Sequence, residues 1–229
     1  MYNKECYQVI FNEDSLKEFI EWLPELEDNH KFYGCLFARK KYAPELVDSS
    51  DRTQLRRFVT DKSRLLSKIR QMEVPMGSYT LKGRVVPQEA LALYIHPNPR
   101  NMLNATRVLG KKCWDLFQNQ NFNPHNEALS CVQKSRGKAH WVDFDIDIKE
   151  GFDDLAERIS DIITEDCFRL LETRGGYHLL VAPDCAKQIT NTFYNSIRTL
   201  LDDDCDQVGD NMMPVPGCVQ GDFVPEFIH

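Results

Sequence analysis

The 229 residues predict an α+β protein built in two lobes, the C-terminal one a mixed or antiparallel sheet flanked by helices. Three observations carry that prediction. Short apolar strands alternate with amphipathic helical stretches, the pattern of a sheet with helices packed on it. A hydrophobic content of 42% against 28% charged residues is ordinary for a globular chain of this length. Residues 139–149 form a strand that is apolar on one face and acidic on the other. The polar stretch 118–126 marks the expected boundary. It separates an N-terminal lobe, 1–120, from a catalytic lobe, 121–229, the two packed as one compact domain.

In chain order, residues 7–11 read as a short strand. Ser15-Leu16-Lys17-Glu18 reads as a capping box, opening a helix with the apolar stripe Leu16, Phe19, Ile20 and Leu23 that Pro24 ends. A strand at 32–37 leads to Arg39-Lys40-Lys41. Residues 52–70 read as a basic helical region, with Leu55, Phe58, Leu65, Leu66 and Ile69 on its buried side. Gly77 and Gly83 punctuate a loop or hairpin, and 90–95 is a strand. Pro97 and Pro99 keep the next segment extended, so Arg100 is held in place. A helix over 102–117 carries Arg107, Lys111 and Lys112. Beyond the acidic strand come a helix at 152–163, a strand at 179–181 and a helix at 186–201 with Ile189, Phe193, Ile197 and Leu200 facing in. An acidic turn occupies 202–206.

The N-terminus has neither the basic region nor the apolar run of a signal peptide, and no segment approaches the roughly 20 apolar residues that span a bilayer. A cytoplasmic protein with no membrane partner is expected. The eight cysteines are scattered without a Cys-x-x-Cys pair, so free thiols are expected. Cys113, His125, Cys131 and His140 are too irregularly spaced for a zinc site, and zinc is not expected. The net charge of −7 argues against a chain coated in nucleic acid but permits a local basic track.

Within the acidic strand, Val142, Phe144, Ile146 and Ile148 share one face, and Trp141, Asp143, Asp145 and Asp147 the other. Carboxylates on alternate residues lie about 6–7 Å apart and repel unless something positive sits between them. Mg²⁺ or Mn²⁺ suits that position, because these hard ions take carboxylate oxygens and leave places open for phosphate. The bland alternative is a solvated acidic edge strand, which the apolar opposite face disfavours. Downstream, Thr173-Arg174-Gly175-Gly176-Tyr177-His178 joins a cation, two glycines with accessible N–H groups and a histidine at a strand start.

Phe144-Asp145-Ile146-Asp147, followed by Lys149-Glu150-Gly151, resembles the first motif of the archaeo-eukaryotic primase superfamily. Thr173 to His178 resembles its small-x-His motif, and Pro216-Gly217-Cys218-Val219-Gln220-Gly221 the segment after its third aspartate. The match covers residues 139–225 in order. The resemblance implies a two-lobed primase-like fold and template-directed nucleotidyl transfer by two metal ions about 3.5–4 Å apart. Single-stranded DNA and nucleoside triphosphates would be substrates, and a replicative helicase a further partner. Asp145 and Asp147 match the metal-binding aspartates, and His178 the residue at the triphosphate. Arg174, Thr173, Gly175 and Gly176 would help to hold the phosphates. Asp206 is chosen as third ligand over Asp202, Asp204 and Asp210, with Asp143 and Asp210 in reserve. Arg39, Lys40, Arg56, Arg57 and Arg100 would track the template backbone. Pro214 stands where the family has an arginine. That departure keeps open a catalytically silent primase-like nucleic-acid-binding module. A metal-dependent nuclease using the same carboxylates is a further alternative, though it leaves Gly175, Gly176 and His178 without a triphosphate.

Overall fold

The computed structural model describes residues 5–44, 52–116, 123–148 and 152–228. The N-terminal part runs α1 (Glu13–Trp22), β1 (His30–Arg39), β2 (Arg52–Thr60), α2 (Leu65–Arg70), a hairpin of β3 (Thr80–Leu81) and β4 (Arg84–Val85), β5 (Leu91–Ile95), β6 (Arg100–Asn101), α3 (Met102–Leu116) and α4 (Pro124–Lys134). There follow β7 (Val142–Ile146), α5 (Phe152–Ser160), β8 (Phe168–Thr173), β9 (Gly176–Val181), α6 (Pro183–Ile189) and α7 (Phe193–Leu201), then β10 (Cys205–Gly209), β11 (Met213–Pro214) and β12 (Glu226–Phe227). The fold is α+β, with two antiparallel five-stranded sheets. The first is ordered β11-β5-β1-β2, with β6 also on β1, and the second β10-β7-β9-β8-β12.

The chain weaves between the sheets. β11 returns to pair with β5, and Leu171 and Leu180 of the second sheet share a buried cluster with Leu36, Leu93, α1 and α2. The other face of the first sheet carries Tyr33, Cys35 and Tyr94 against α3 and α4. Phe144, Ile146, Leu179 and Val181 turn to the outer face of the second sheet, buried under α5 and α7. That burial fixes the register of β7, because a one-residue slip would drive Asp143 and Asp145 into the helices and expose Phe144 and Ile146.

Several local expectations change. Residues 52–60, expected as helix, form an edge strand along β1, from Phe32 opposite Thr60 to Arg39 opposite Arg52. Arg56, Phe58 and Thr60 alternate with Arg57 and Val59, the register shifts before Gln54, and β1 supplies the partner that decides between the two periods. The first helix is capped by Asn12, which accepts from the Asp14 and Ser15 amides, so Ser15 lies inside it. Residues 7–11 are extended but held by single contacts, such as Val219 N–H to Val9 O at 2.9 Å, rather than by a ladder. The expected loop at 118–126 contains the start of α4, whose cap Asn123 accepts from the Asn126 amide; residues 118–122 lie outside the described residues. One expected helix over 186–201 is two, because Thr190 is extended and bonds Thr192 through their hydroxyls at 2.9 Å. Ile189 is then 47% exposed rather than inward.

Cys167 and Cys185, expected as thiols, are joined by a disulfide with Cα atoms 5.4 Å apart. The β8–β9 hairpin brings the chain back to its own start, where the Ala182 amide donates to Cys167 O at 2.8 Å. No helix among the described residues is long and apolar enough to cross a membrane.

Candidate functional site

The strand β7 and its neighbours build the site. Asp145 lies directly opposite His178 on β9 and opposite Gln207 on β10. Asp145, Asp147 and His178 line one cavity of about 200 Å³. Arg39 and Lys41, from the end of β1, line the same cavity. Arg39 is only 3% exposed, donates to the Tyr94 hydroxyl at 2.6 Å and stacks over the Tyr42 and Tyr94 rings. Two carboxylates and three nitrogen groups thus converge from both sheets.

Asp143 plays a different part from Asp145. It is 1% exposed, and its two oxygens lie 2.9 and 3.1 Å from His178 Nδ1. The other ring nitrogen, Nε2, reaches Asp145 at 3.5 Å. Burial pushes the Asp143 carboxyl up, and the adjacent His178 pulls it back. Asp143 orients the ring from behind, and Asp145 meets the ring at the cavity wall.

The glycine turn is a tight hairpin, with Thr173 opposite Gly176. A Cβ on Gly176 would sit 2.0 Å from the Ile146 carbonyl, so that glycine serves the close approach of β9 to β7 rather than to a ligand. Gly175 does lie beside the carboxylates: a Cβ there would be 4.0 Å from Asp147 Oδ1. Its amide donates to Thr173 Oγ1 at 3.3 Å, and that hydroxyl donates to Gly176 O at 3.0 Å. Thr173 and Gly175 line the cavity. Arg174 does not; its guanidinium meets Asp222 at 2.6 Å and lies 4.3 Å from the Tyr42 ring centroid.

The basic residues expected to form one track are scattered. Arg56 and Arg57, adjacent on β2, point to opposite faces of the sheet. Arg56 donates to Gln71 O at 2.7 Å, and Arg57 to Asn126 Oδ1 at 2.8 Å. Lys40 is exposed. Arg100 is 1% exposed, so it does not reach a template: it pairs with Asp210 and donates to the Asn98 and Gln133 carbonyls. The rigid Pro97–Pro99 segment holds it as expected, but inward. Asp210 is correspondingly engaged by Arg100 and by Arg136 Nε at 3.2 Å, and it lines a different cavity from Asp147 and His178. Asp206 stands where the register of β10 slips, and its side chain lies outside the described residues, as do Lys149, Glu150 and Gly151. The neighbour that faces the cleft opposite Asp145 is Gln207.

Lys41, Tyr94, Gln207, Met212 and Gln220 were missed as lining residues. Lys41 stands in the turn after β1 ends at Arg39, where strand alternation no longer applies, so the sequence carried no signal for it. Gln220, in the Pro-Gly segment, is 3% exposed and accepts from the Arg174 amide at 2.8 Å, locking that segment to the hairpin.

Among the described residues, no three His, Cys, Asp or Glu side chains form a ready metal-binding group. Asp145 and Asp147 do supply two hard oxygen donors on one cavity wall, a set that suits Mg²⁺ or Mn²⁺ when phosphate oxygens complete the coordination. No family model matches the chain, and no curated protein or solved structure shows significant similarity to it.

Proposed function

We propose that the protein is a template-directed nucleotidyltransferase, a primase or primase-polymerase acting on single-stranded DNA with nucleoside triphosphates. The observation that carries this reading is the meeting of Asp145 and Asp147 with His178, Arg39 and Lys41 in one cavity. Carboxylates alone would suit many metal enzymes. Carboxylates facing a buried arginine, a lysine and an oriented histidine suit a metal-bound polyphosphate, because such cations hold phosphate oxygens. Arg39 enters this reading as a phosphate-side residue rather than part of an outer track.

Asp145 and Asp147 would hold Mg²⁺ or Mn²⁺, which would lower the pKa of an attacking hydroxyl and offset the charge developing on pyrophosphate. As an imidazolium, His178 would donate Nδ1–H to Asp143 and Nε2–H to a phosphate oxygen, and Arg39 and Lys41 would bind the remaining anionic groups. The sequence likeness to the primase superfamily adds to this reading. The silent-module alternative draws on Gln207, which faces Asp145 where a third acid would complete the site.

The test is incubation with single-stranded template, labelled nucleotides and Mn²⁺. Extension is expected, and Asp145→Asn should reduce its rate by about two orders of magnitude or more. Template retention without synthesis would favour the silent module, and template degradation would favour a nuclease.

A further inference from the structure

The cleft continues past Asp145 into a second cavity of about 360 Å³, within the range of small-molecule pockets, about 300–1,000 Å³. Both cavities include Asp145, Tyr94, Gln207 and Met212, so Asp145 stands at their junction. Their linings differ in charge. The first has Arg39, Lys41 and His178 opposite its acids. The second has no lysine or arginine among its described lining residues; its Asp210 is already paired with Arg100 and Arg136, and its walls are amides, the rings of Phe37 and Tyr94, and His96.

His96 is the informative group. It is 6% exposed, with the Asn211 backbone beside the ring, and neither ring nitrogen makes a well-formed hydrogen bond. Asp210 lies 3.9 Å from Nδ1, outside hydrogen-bond reach. Burial and the nearby Arg100 hold its pKa down to about 4, so at neutral pH the ring offers one donor and one acceptor. Asn211 Nδ2, on the same wall, is also buried without a partner. Unpaired buried polar groups are rare, and two in one cavity wall indicate a polar, uncharged occupant.

We propose that this cavity is a nucleoside subsite. It takes the sugar and base of the nucleotide whose phosphates lie in the carboxylate cavity, with His96 and Asn211 hydrogen-bonding the nucleoside and Phe37 and Tyr94 packing against it. The proposal rests on the nucleotidyl-transfer reading and deepens it: the cationic side of Asp145 receives phosphate, and the neutral side receives the rest of the substrate.

The experiment compares, with Mn²⁺ present, calorimetric affinities for the eight common ribo- and deoxyribonucleoside triphosphates and for inorganic tripolyphosphate. Wild type should bind its best nucleotide about tenfold or more tighter than tripolyphosphate. Asn211→Ala and His96→Phe should each lose about fivefold or more of that nucleotide affinity while keeping the tripolyphosphate affinity, which serves as the folding control. Should His96→Phe fail to fold, the partly exposed Asn211→Ala decides alone. Equal wild-type affinities for nucleotide and tripolyphosphate would overturn the subsite, as would variants that keep the nucleotide preference and leave the cavity to ordered water. Binding of neither ligand by wild type would overturn the nucleotidyl-transfer reading, and the subsite with it.

Discussion

Two carboxylates beside the cleft, the half-buried Asp210 and the buried Asp143, end in opposite ways. Asp210 is met by Arg100, by Arg136 Nε at 3.2 Å and by Asn98 Nδ2 at 3.2 Å. Arg100 spends its other N–H groups on the Asn98 and Gln133 carbonyls. Charge is compensated by arginines within the protein, so the Asp210 carboxylate reaches the second cavity already paired. Asp143 is met by one nitrogen of His178, whose other nitrogen points toward Asp145 and hence into a cavity. A buried charge is therefore weak evidence of a site. A buried charge whose contacts lead to a cavity is stronger evidence, because its field and its geometry are delivered to whatever binds there.

The sharpest way to break the Asp210 network is Arg100→Met, which keeps bulk and removes the charge. Asp210 would then keep one charged partner, the exposed Arg136, beside the Asn98 amide. Losing one side of a buried pair costs about 3–5 kcal/mol. Urea unfolding should show a loss of that order; a loss below about 1 kcal/mol would mean that solvent already screens the pair.

His96, beside this network, gives it a pH signature. Its pKa falls from 6.5 in the unfolded chain to about 4 in the fold, chiefly through burial. For a depressed base the stability is fully present above the unfolded value and is lost as pH falls through the window from 6.5 toward 4, where only the unfolded chain takes up the proton. Across that window the loss is on the order of 3 kcal/mol, from about 1.4 kcal/mol per unit. Comparing the stability of wild type and His96→Phe at pH 7 and pH 5 isolates the effect. The variant should lose distinctly less, and parallel losses would assign the acid sensitivity to carboxylates instead.

What could be read from the sequence follows from how local each cause is. The two faces of β7 were legible, because alternation is a property of one segment and Phe144 and Ile146 needed a core. The convergence of Asp145 with His178 was also expected, and the β7–β9 pairing realises it. Arg100 illustrates what was not legible. Prolines around Asn98 announced a held arginine, but whether it points to solvent depends on Asp210, 110 residues later. Residues 52–60 were read as helix because their basic composition fits either period, and only β1 decides. The pairing of Cys167 with Cys185 likewise depends on the hairpin between them. Lys41 was not legible either, because it stands in the turn that follows β1 and no strand alternation reaches it.

Asp143→Asn sharpens the second half of the comparison. Asparagine keeps the shape, but its amide loses the charge that orients the His178 ring and favours its imidazolium form. Removing a group that orients a site histidine costs about 10- to 100-fold. The extension rate at saturating template should fall by that much, with the nucleotide KM rising. A purely structural role for Asp143 would show instead as lowered thermal stability with unchanged kinetics in the folded fraction.

The smallest effect expected separates the two networks most cleanly. Asp145 has a 29% exposed side chain, and its contact with His178 is long, at 3.5 Å. Its charge also works against the fold, since it adds to the forces that push the buried Asp143 carboxyl up. Asp145→Asn thus gives up a weak attraction to His178 and relieves a repulsion with Asp143, and these oppose each other. The net change in unfolding free energy should stay within about 1 kcal/mol, of either sign. Asp210→Asn leaves the 1% exposed Arg100 guanidinium without its carboxylate, and should destabilise by several times as much, about 3 kcal/mol or more. Parallel urea titrations of the two variants measure the contrast directly. If Asp145→Asn were as destabilising as Asp210→Asn, Asp145 would be a structural anchor, and the loss of extension in that variant would no longer report on a metal ligand.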